Sequence, residues 1–350
     1  MTGTADTWQL FRRGNDQGPV KLPPGPPWRR FGTRRTPRPP YVMRDRDADI
    51  VNTALHLRRP LLVTGYPGSG KSSLAYALAD DLGLGDVLHW PVNSRSTLTD
   101  ALYRYDAVGR LRDATAQGST GEAPLPVQDY VTLGPLGTAL AALAGHPRVL
   151  LIDELDKGDI DLPNDLLTVF EDGAFEIPEL SRLASASGEA RAQVRLTRSA
   201  SRRSVGNSAH TGSAEETPPD SNGWLEAKGT VVEGWVYCEE FPVVVITSNG
   251  EREFPPAFLR RCVRLFLEDP DEEHLKAVVN AQFASELAST DEQTTTEVEE
   301  LVSNFSRAAG HGRLATDQLL NAIHLRLSAV PLDPHTLEAV LRPLDDTNAP

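Results

Sequence analysis

Pro60-Leu61-Leu62-Val63-Thr64, followed by Gly65-Tyr66-Pro67-Gly68-Ser69-Gly70-Lys71-Ser72, is the stretch on which the reading of this 350-residue chain turns. The first five residues form an apolar run of the length of a buried strand. The next eight fit G-x-x-x-x-G-K-[ST], in which every fixed position has a physical task. Glycines let backbone N–H groups turn inward and approach phosphate oxygens closely. A helix over 71–82 adds the positive end of its dipole at the same point. Residues Gly65 to Ser72, with Ser73 beside them, are therefore the candidate phosphate cradle. Lys71 is placed to reach the outer phosphates, and the Ser72 hydroxyl to ligate Mg2+.

Two further segments repeat the theme of an apolar strand ending in polar groups. Val149-Leu150-Leu151-Ile152 runs into Asp153-Glu154, and Val243-Val244-Val245-Ile246 runs into Thr247-Ser248-Asn249. In open α/β sheets ligands bind at the carboxyl ends of the strands, so these ends are where site residues belong. Asp153 suits a Mg2+ contact and Glu154 a general base for water. Asn249 suits a group that orients that water, although Asn249-Gly250 is also an ordinary turn signal. Phe254-Pro255-Pro256-Ala257-Phe258-Leu259-Arg260-Arg261-Cys262 predicts a helix with two arginines in its last turn. Arginine there ordinarily compensates the helix dipole. It is also where a transition-state arginine would project.

Working outward, the spacing predicts helices over 46–57, 71–82, 135–144 and 160–171. It predicts strands over 60–64, 86–92, 147–152, 241–247 and 262–267. Strands alternating with helices indicate a parallel sheet with helices on both faces. Residues 224–240 alternate as a β-hairpin does. From 271 onward only helical spacing remains, over 271–288, 293–309, 316–328 and 334–343, with Thr316 as an expected N-cap. The organisation expected is an extended arm over 1–40, an α/β nucleotide-binding domain over 41–268, and a small all-helical domain over 269–350.

Two segments stand apart. Residues 12–40 hold KLPPGPPWRRF and RRTPRPP, too rich in proline for a helix or central strand. The arm is expected to be either a flexible leader or a strap that packs Trp8, Phe11, Trp28 and Phe31 on a neighbouring subunit or partner. Residues 185–222 are rich in Ser, Ala, Gly and Arg, and read as a disordered insertion. A nucleic-acid-contacting loop using Arg191, Arg195, Arg198, Arg202 and Arg203 is the rival reading.

Composition bounds the partners. The chain carries 35 basic and 49 acidic residues, a net charge of −14, which excludes a surface devoted as a whole to nucleic acid. Residues 1–44 hold nine Arg or Lys against two Asp, so the remainder is more acidic still. Only five lysines occur (Lys21, Lys71, Lys157, Lys228 and Lys276), which makes each informative. Two cysteines, Cys238 and Cys262, form no disulfide framework, and a reducing, cytoplasmic setting is expected. No apolar run is long enough for a transmembrane helix, and no membrane insertion is expected.

In this order, and with helices behind them, these segments resemble the AAA+ ATPases, and within them the MoxR-like branch. The resemblance covers about residues 41–345. It implies a P-loop NTPase αβα sandwich followed by a helical lid. Gly65–Ser72 matches Walker A, Asp153–Glu154 matches Walker B, and Asn249 matches sensor 1. Arg261 matches the finger arginine that acts on a neighbour's nucleotide, with Arg260 as fallback. Arg313 is the candidate sensor 2, although it precedes the third lid helix, and Gln318 lies inside that helix. The segment from Phe175–Leu180 through Val236–Phe241 falls where this branch carries a hairpin before sensor 1. The resemblance further implies ATP and Mg2+ as ligands and a homo-oligomeric ring, most often a hexamer. It also implies hydrolysis coupled to remodelling or assembly of a client or adaptor protein. A nucleotide-gated scaffold, and a nucleic-acid motor of the restriction or defence type, are the rival functions. A small-molecule kinase is a weaker third.

Overall fold

β1 (Leu61–Gly65), β2 (Leu88–Pro91), β3 (Tyr103–Tyr105), β4 (Val131–Leu133), β5 (Val149–Asp153), β6 (Ala174–Glu176), β7 (Arg191–Arg195), β8 (Lys228–Val232), β9 (Trp235–Tyr237), β10 (Val243–Ser248) and β11 (Val263–Leu267) follow one another along the chain and divide between two sheets. The structure is a computed structural model that describes residues 21–29, 38–120, 125–142, 145–188, 190–197, 228–309 and 314–341. It falls into two compact units. One comprises Met43–Tyr66 and Gly70–Glu268. The other comprises the described residues from Asp269 onward, those before Met43, and Pro67–Ser69. No described helix is long and apolar enough to cross a membrane.

The first sheet has the order β11-β1-β10-β5-β2, and all its pairings are parallel. Its centre is apolar on both faces: Val149, Leu150, Leu151, Ile152, Val245 and Ile246 are fully buried. Strands buried on both faces read as continuous apolar runs, which is why their sequences show no alternation. Helix Asp45–Leu57 packs against β11, helix Lys71–Asp81 against β1, β5 and β10, and helix Pro135–Leu140 against β2 and β5. This is the α/β, P-loop NTPase-like architecture, with a parallel sheet among helices. β10 lies between β1 and β5, in register Val63↔Thr247 and Ile246↔Ile152. The three polar strand ends are thereby brought side by side.

The second sheet, β3-β4-β7-β8-β9-β6, was not expected beyond one hairpin. Its pairings are antiparallel except β4 with β7. β8 and β9 form the hairpin, and the turn residues Glu233 (φ 53°) and Gly234 (φ 86°) both lie in the left-handed region, as a two-residue turn of this kind requires. A Cβ on Gly234 would fall 2.4 Å from the backbone of Ser181, so only glycine fits there. The inner face (Val194, Val231, Val236, Phe175) joins the same core as Leu150 and Ile152. The insertion expected over 185–222 is corrected at its start. Residues up to Ser187 complete helix Pro178–Ser187, and Arg191–Arg195 form β7, because Val194 has a buried place to fill. The rest of it, with Arg198, Arg202 and Arg203, lies outside the described residues.

The C-terminal region is helical: Glu272–Leu287, Glu292–Ala309, Thr316–Leu327 and Pro334–Val340. Leu275, Val279, Phe283, Val298, Val302, Phe305, Leu319 and Ile323 make its core. Thr316 is the first helical residue rather than the cap. Ala315 holds the cap position, its N–H donating to Gln318 Oε1 at 3.1 Å and its carbonyl accepting from Gln318 N–H at 2.9 Å. Trp28 also departs from expectation. Its ring packs edge-on to Phe283 (centroids 6.1 Å apart) and to His324 (5.7 Å), so it serves the core of its own chain. Trp8, Phe11 and Phe31 lie outside the described residues.

Candidate active site

β1 leaves the sheet into the glycine loop, where Gly68 (φ 78°) and Gly70 (φ 85°) hold left-handed conformations. Side chains pay for such angles, and glycine does not. Gly70 caps helix Lys71–Asp81, so that helix opens directly out of the loop. Lys71 is only 7% exposed, and its ammonium donates to the carbonyls of Gly65 (2.8 Å) and Tyr66 (2.7 Å). Burial lowers its pKa, while the carboxylates of Asp156, Asp153 and Glu154 act against that fall. Ser69 Oγ is buried and makes no hydrogen bond among the described residues. Ser73 is exposed on the helix.

Asp153 is the centre of the polar cluster. Its Oδ1 accepts from Ser72 Oγ (2.6 Å) and from Thr247 Oγ1 (2.7 Å), and His89 Nε2 lies 3.2 Å from its Oδ2. Burial favours the neutral acid, but the bonds from His89, Ser72 and Thr247 outweigh it and bring the pKa down to about 2. Asp153 is thus an anion at neutral pH. Thr247 also accepts the N–H of Glu154 at 2.8 Å, so one hydroxyl ties both acids together.

Glu154 adopts φ 59°, ψ 50°, a left-handed backbone that a non-glycine residue enters at a cost of about 1–3 kcal/mol. Its Oε1 accepts from Lys157 Nζ (2.9 Å) and from Asn249 Nδ2 (3.4 Å). Asn249 is fixed from below by Asp156, 3% exposed, whose Oδ2 accepts the N–H groups of Asn249 (3.0 Å) and Glu251 (3.1 Å).

Lys71, Ser72, Asp153, Glu154 and Asn249 therefore meet at one sheet edge. Arg261 does not join them: it pairs with Glu171, and its NH1 donates to Ala257 O at 3.1 Å. Arg260 is exposed, and Arg313 lies outside the described residues. Sequence reasoning missed His89, Asp156 and the double role of Thr247. Of these, His89 carried a signal, a polar side chain near the carboxyl end of a predicted strand.

The donor set fits a nucleoside triphosphate with a divalent cation. The left-handed Gly70 opens the helix directly at the loop, and among the described residues Lys71 donates only to the loop carbonyls of Gly65 and Tyr66. Mg2+ is usually held by one or two carboxylates plus substrate phosphates. Ser72 and Asp153, 2.6 Å apart, offer the protein's share of such a shell.

Residues 60–220 match the family model described as AAA domain (dynein-related subfamily). The match spans Gly65–Ser72 and Asp153–Glu154, and it supports an AAA+ ATPase. No curated protein matches the chain.

Proposed function

We propose that this chain is an ATP hydrolase of the MoxR-like branch of AAA+ proteins, which works in a ring and uses turnover to remodel or assemble a partner protein. The observation that carries the reading is the bonded cluster Ser72–Asp153–Thr247–Glu154–Asn249 beside Lys71. Mg2+, when bound, would neutralise charge on the phosphate oxygens. The protein's own part is positioning and charge. Backbone N–H groups of Gly65–Ser72 bind the phosphates, and Lys71 exchanges its loop carbonyls for phosphate oxygens. Asp153 and Ser72 hold the cation. Glu154 takes the proton from the attacking water, and Asn249 holds that carboxylate in place. Arg261, released from Glu171, serves the neighbouring subunit's γ-phosphate, with Arg260 as its substitute and Arg313 as the lid's contribution.

The test is steady-state ATP turnover of Glu154→Gln, alone and mixed with Arg261→Ala. Glu154→Gln keeps ATP binding and loses turnover by about 10²-fold or more. Arg261→Ala is inactive alone, and mixing the two variants restores part of the rate. Wild-type turnover no faster than that of Glu154→Gln would leave a nucleotide-gated scaffold. Mixing without rescue would remove the assignment between subunits.

A further inference from the structure

We infer that the open face of the second sheet is a binding site for single-stranded nucleic acid. The pairing registers place Arg104, Thr132, Arg195 and Lys228 in one row across β3, β4, β7 and β8. Gln193 and Thr230 form the next row, and Arg191, Val232, Trp235 and Glu176 the one after. Tyr237 follows Trp235 on the same face. The alternation of buried and exposed residues along β7, β8 and β9 agrees with these registers.

Three properties of the face point to a polyanion with flat bases. First, it gathers four cations and one acid, Glu176, in a chain whose net charge is −14. Arg191, Arg195 and Lys228 make no ion pair among the described residues, and Arg104 lies a loose 3.7 Å from Asp100. Second, Arg195 sits directly opposite Lys228 in the antiparallel pair. Like charges in that position destabilise a sheet, and no described residue forms an ion pair with either; a bound phosphate would compensate them. Third, Trp235 (36% exposed) and Tyr237 (59% exposed) stand stacked in solvent, with ring centroids 6.2 Å apart and planes 23° from parallel. Exposed aromatics beside a cationic groove are how proteins hold unpaired bases, because every base offers a π-face. A duplex hides those faces, and an acidic peptide has carboxylates but no bases to stack. The inference is independent of the nucleotide site.

The experiment is fluorescence anisotropy of a labelled oligothymidylate of about 20 nucleotides, long enough for a site of this kind, titrated with the full chain over a range of salt. Duplex DNA and poly-glutamate are run as competitors. The expected result is salt-dependent binding that duplex and poly-glutamate compete for poorly. Trp235→Ala/Tyr237→Ala weakens it about 5-fold or more. Arg195→Gln/Lys228→Gln flattens the plot of log affinity against log salt by about 1.4, since each phosphate left without its cation takes about 0.7 from the slope. Because the second variant removes a like-charge pair, its melting temperature does not fall, which separates weakened binding from failed folding. No binding at low salt, or binding untouched by both variants, overturns the inference. Poly-glutamate competing equally, with the aromatic variant unaffected, assigns the face to an acidic protein and overturns it as well.

Discussion

The two sheets of this chain are built on opposite terms. The parallel sheet buries both faces of its central strands, so that Val149, Leu150, Leu151 and Ile152 contribute apolar surface along their whole length, and its polar groups collect at one edge. The second sheet assembles from segments as far apart as Tyr103 and Tyr237, several of them three residues long, and buries one face only. Its outer face keeps cations and aromatics in solvent. A sheet sealed on both sides can hold chemistry only at its ends. A sheet sealed on one side can offer an entire face to a partner.

That contrast can be broken first through stability. Leu150→Ala, in the sealed sheet, should cost about 2–5 kcal/mol in a chemical denaturation experiment, as a truncation does where the surroundings relax only partly. A loss under about 1 kcal/mol would mean the core is looser than its burial suggests. A smaller and more local effect is expected at the hairpin. Gly234→Ala forces a side chain into a left-handed turn and against Ser181, a cost of about 1–3 kcal/mol. Hydrogen exchange should show protection reduced in β8 and β9 and kept in β5 and β10. Uniform loss would make the two sheets one cooperative unit.

The smallest effect lies at the sealed sheet's polar edge. Asp153 has its pKa depressed to about 2 in the folded protein, so its contribution to stability is complete above the unfolded value of about 4 and is lost as pH falls toward 2. Acid titration of the fold should therefore reveal a component between these values that Asp153→Asn lacks. Identical acid profiles for the two proteins would contradict the bonding from Ser72 and Thr247.

The same contrast explains what was legible in the sequence. Buried parallel strands leave runs such as Val243-Val244-Val245-Ile246, and each run is followed at once by its polar end, so the residues that gather at this edge, Lys71, Ser72, Asp153, Glu154 and Asn249, could be picked out from the sequence as candidates. What joins them was not. That Thr247 stands level with Asp153 is a matter of strand register, which no local pattern encodes. His89 and Asp156 reach the cluster for the same reason. In the second sheet, Tyr103–Tyr105, Val131–Leu133 and Ala174–Glu176 are too short to show a period of two. Arg191–Arg195 has one fully buried residue, Val194, between arginines and looked like polar loop. Thr316 misled because a good capping residue lay one position inside the helix, where the partner on offer was Gln318.

Trp28 has a consequence for how the protein is made. Its ring completes a socket that includes Phe283 and His324, and those residues leave the ribosome only after most of the chain has been translated. At about 5–20 residues per second the indole waits for tens of seconds, roughly, before its seat exists. The prolines just before Trp28, Pro23, Pro24, Pro26 and Pro27, keep that segment from joining a longer helix or a central strand while it waits, so an early-made aromatic reaches a late-made home without first joining the wrong neighbours.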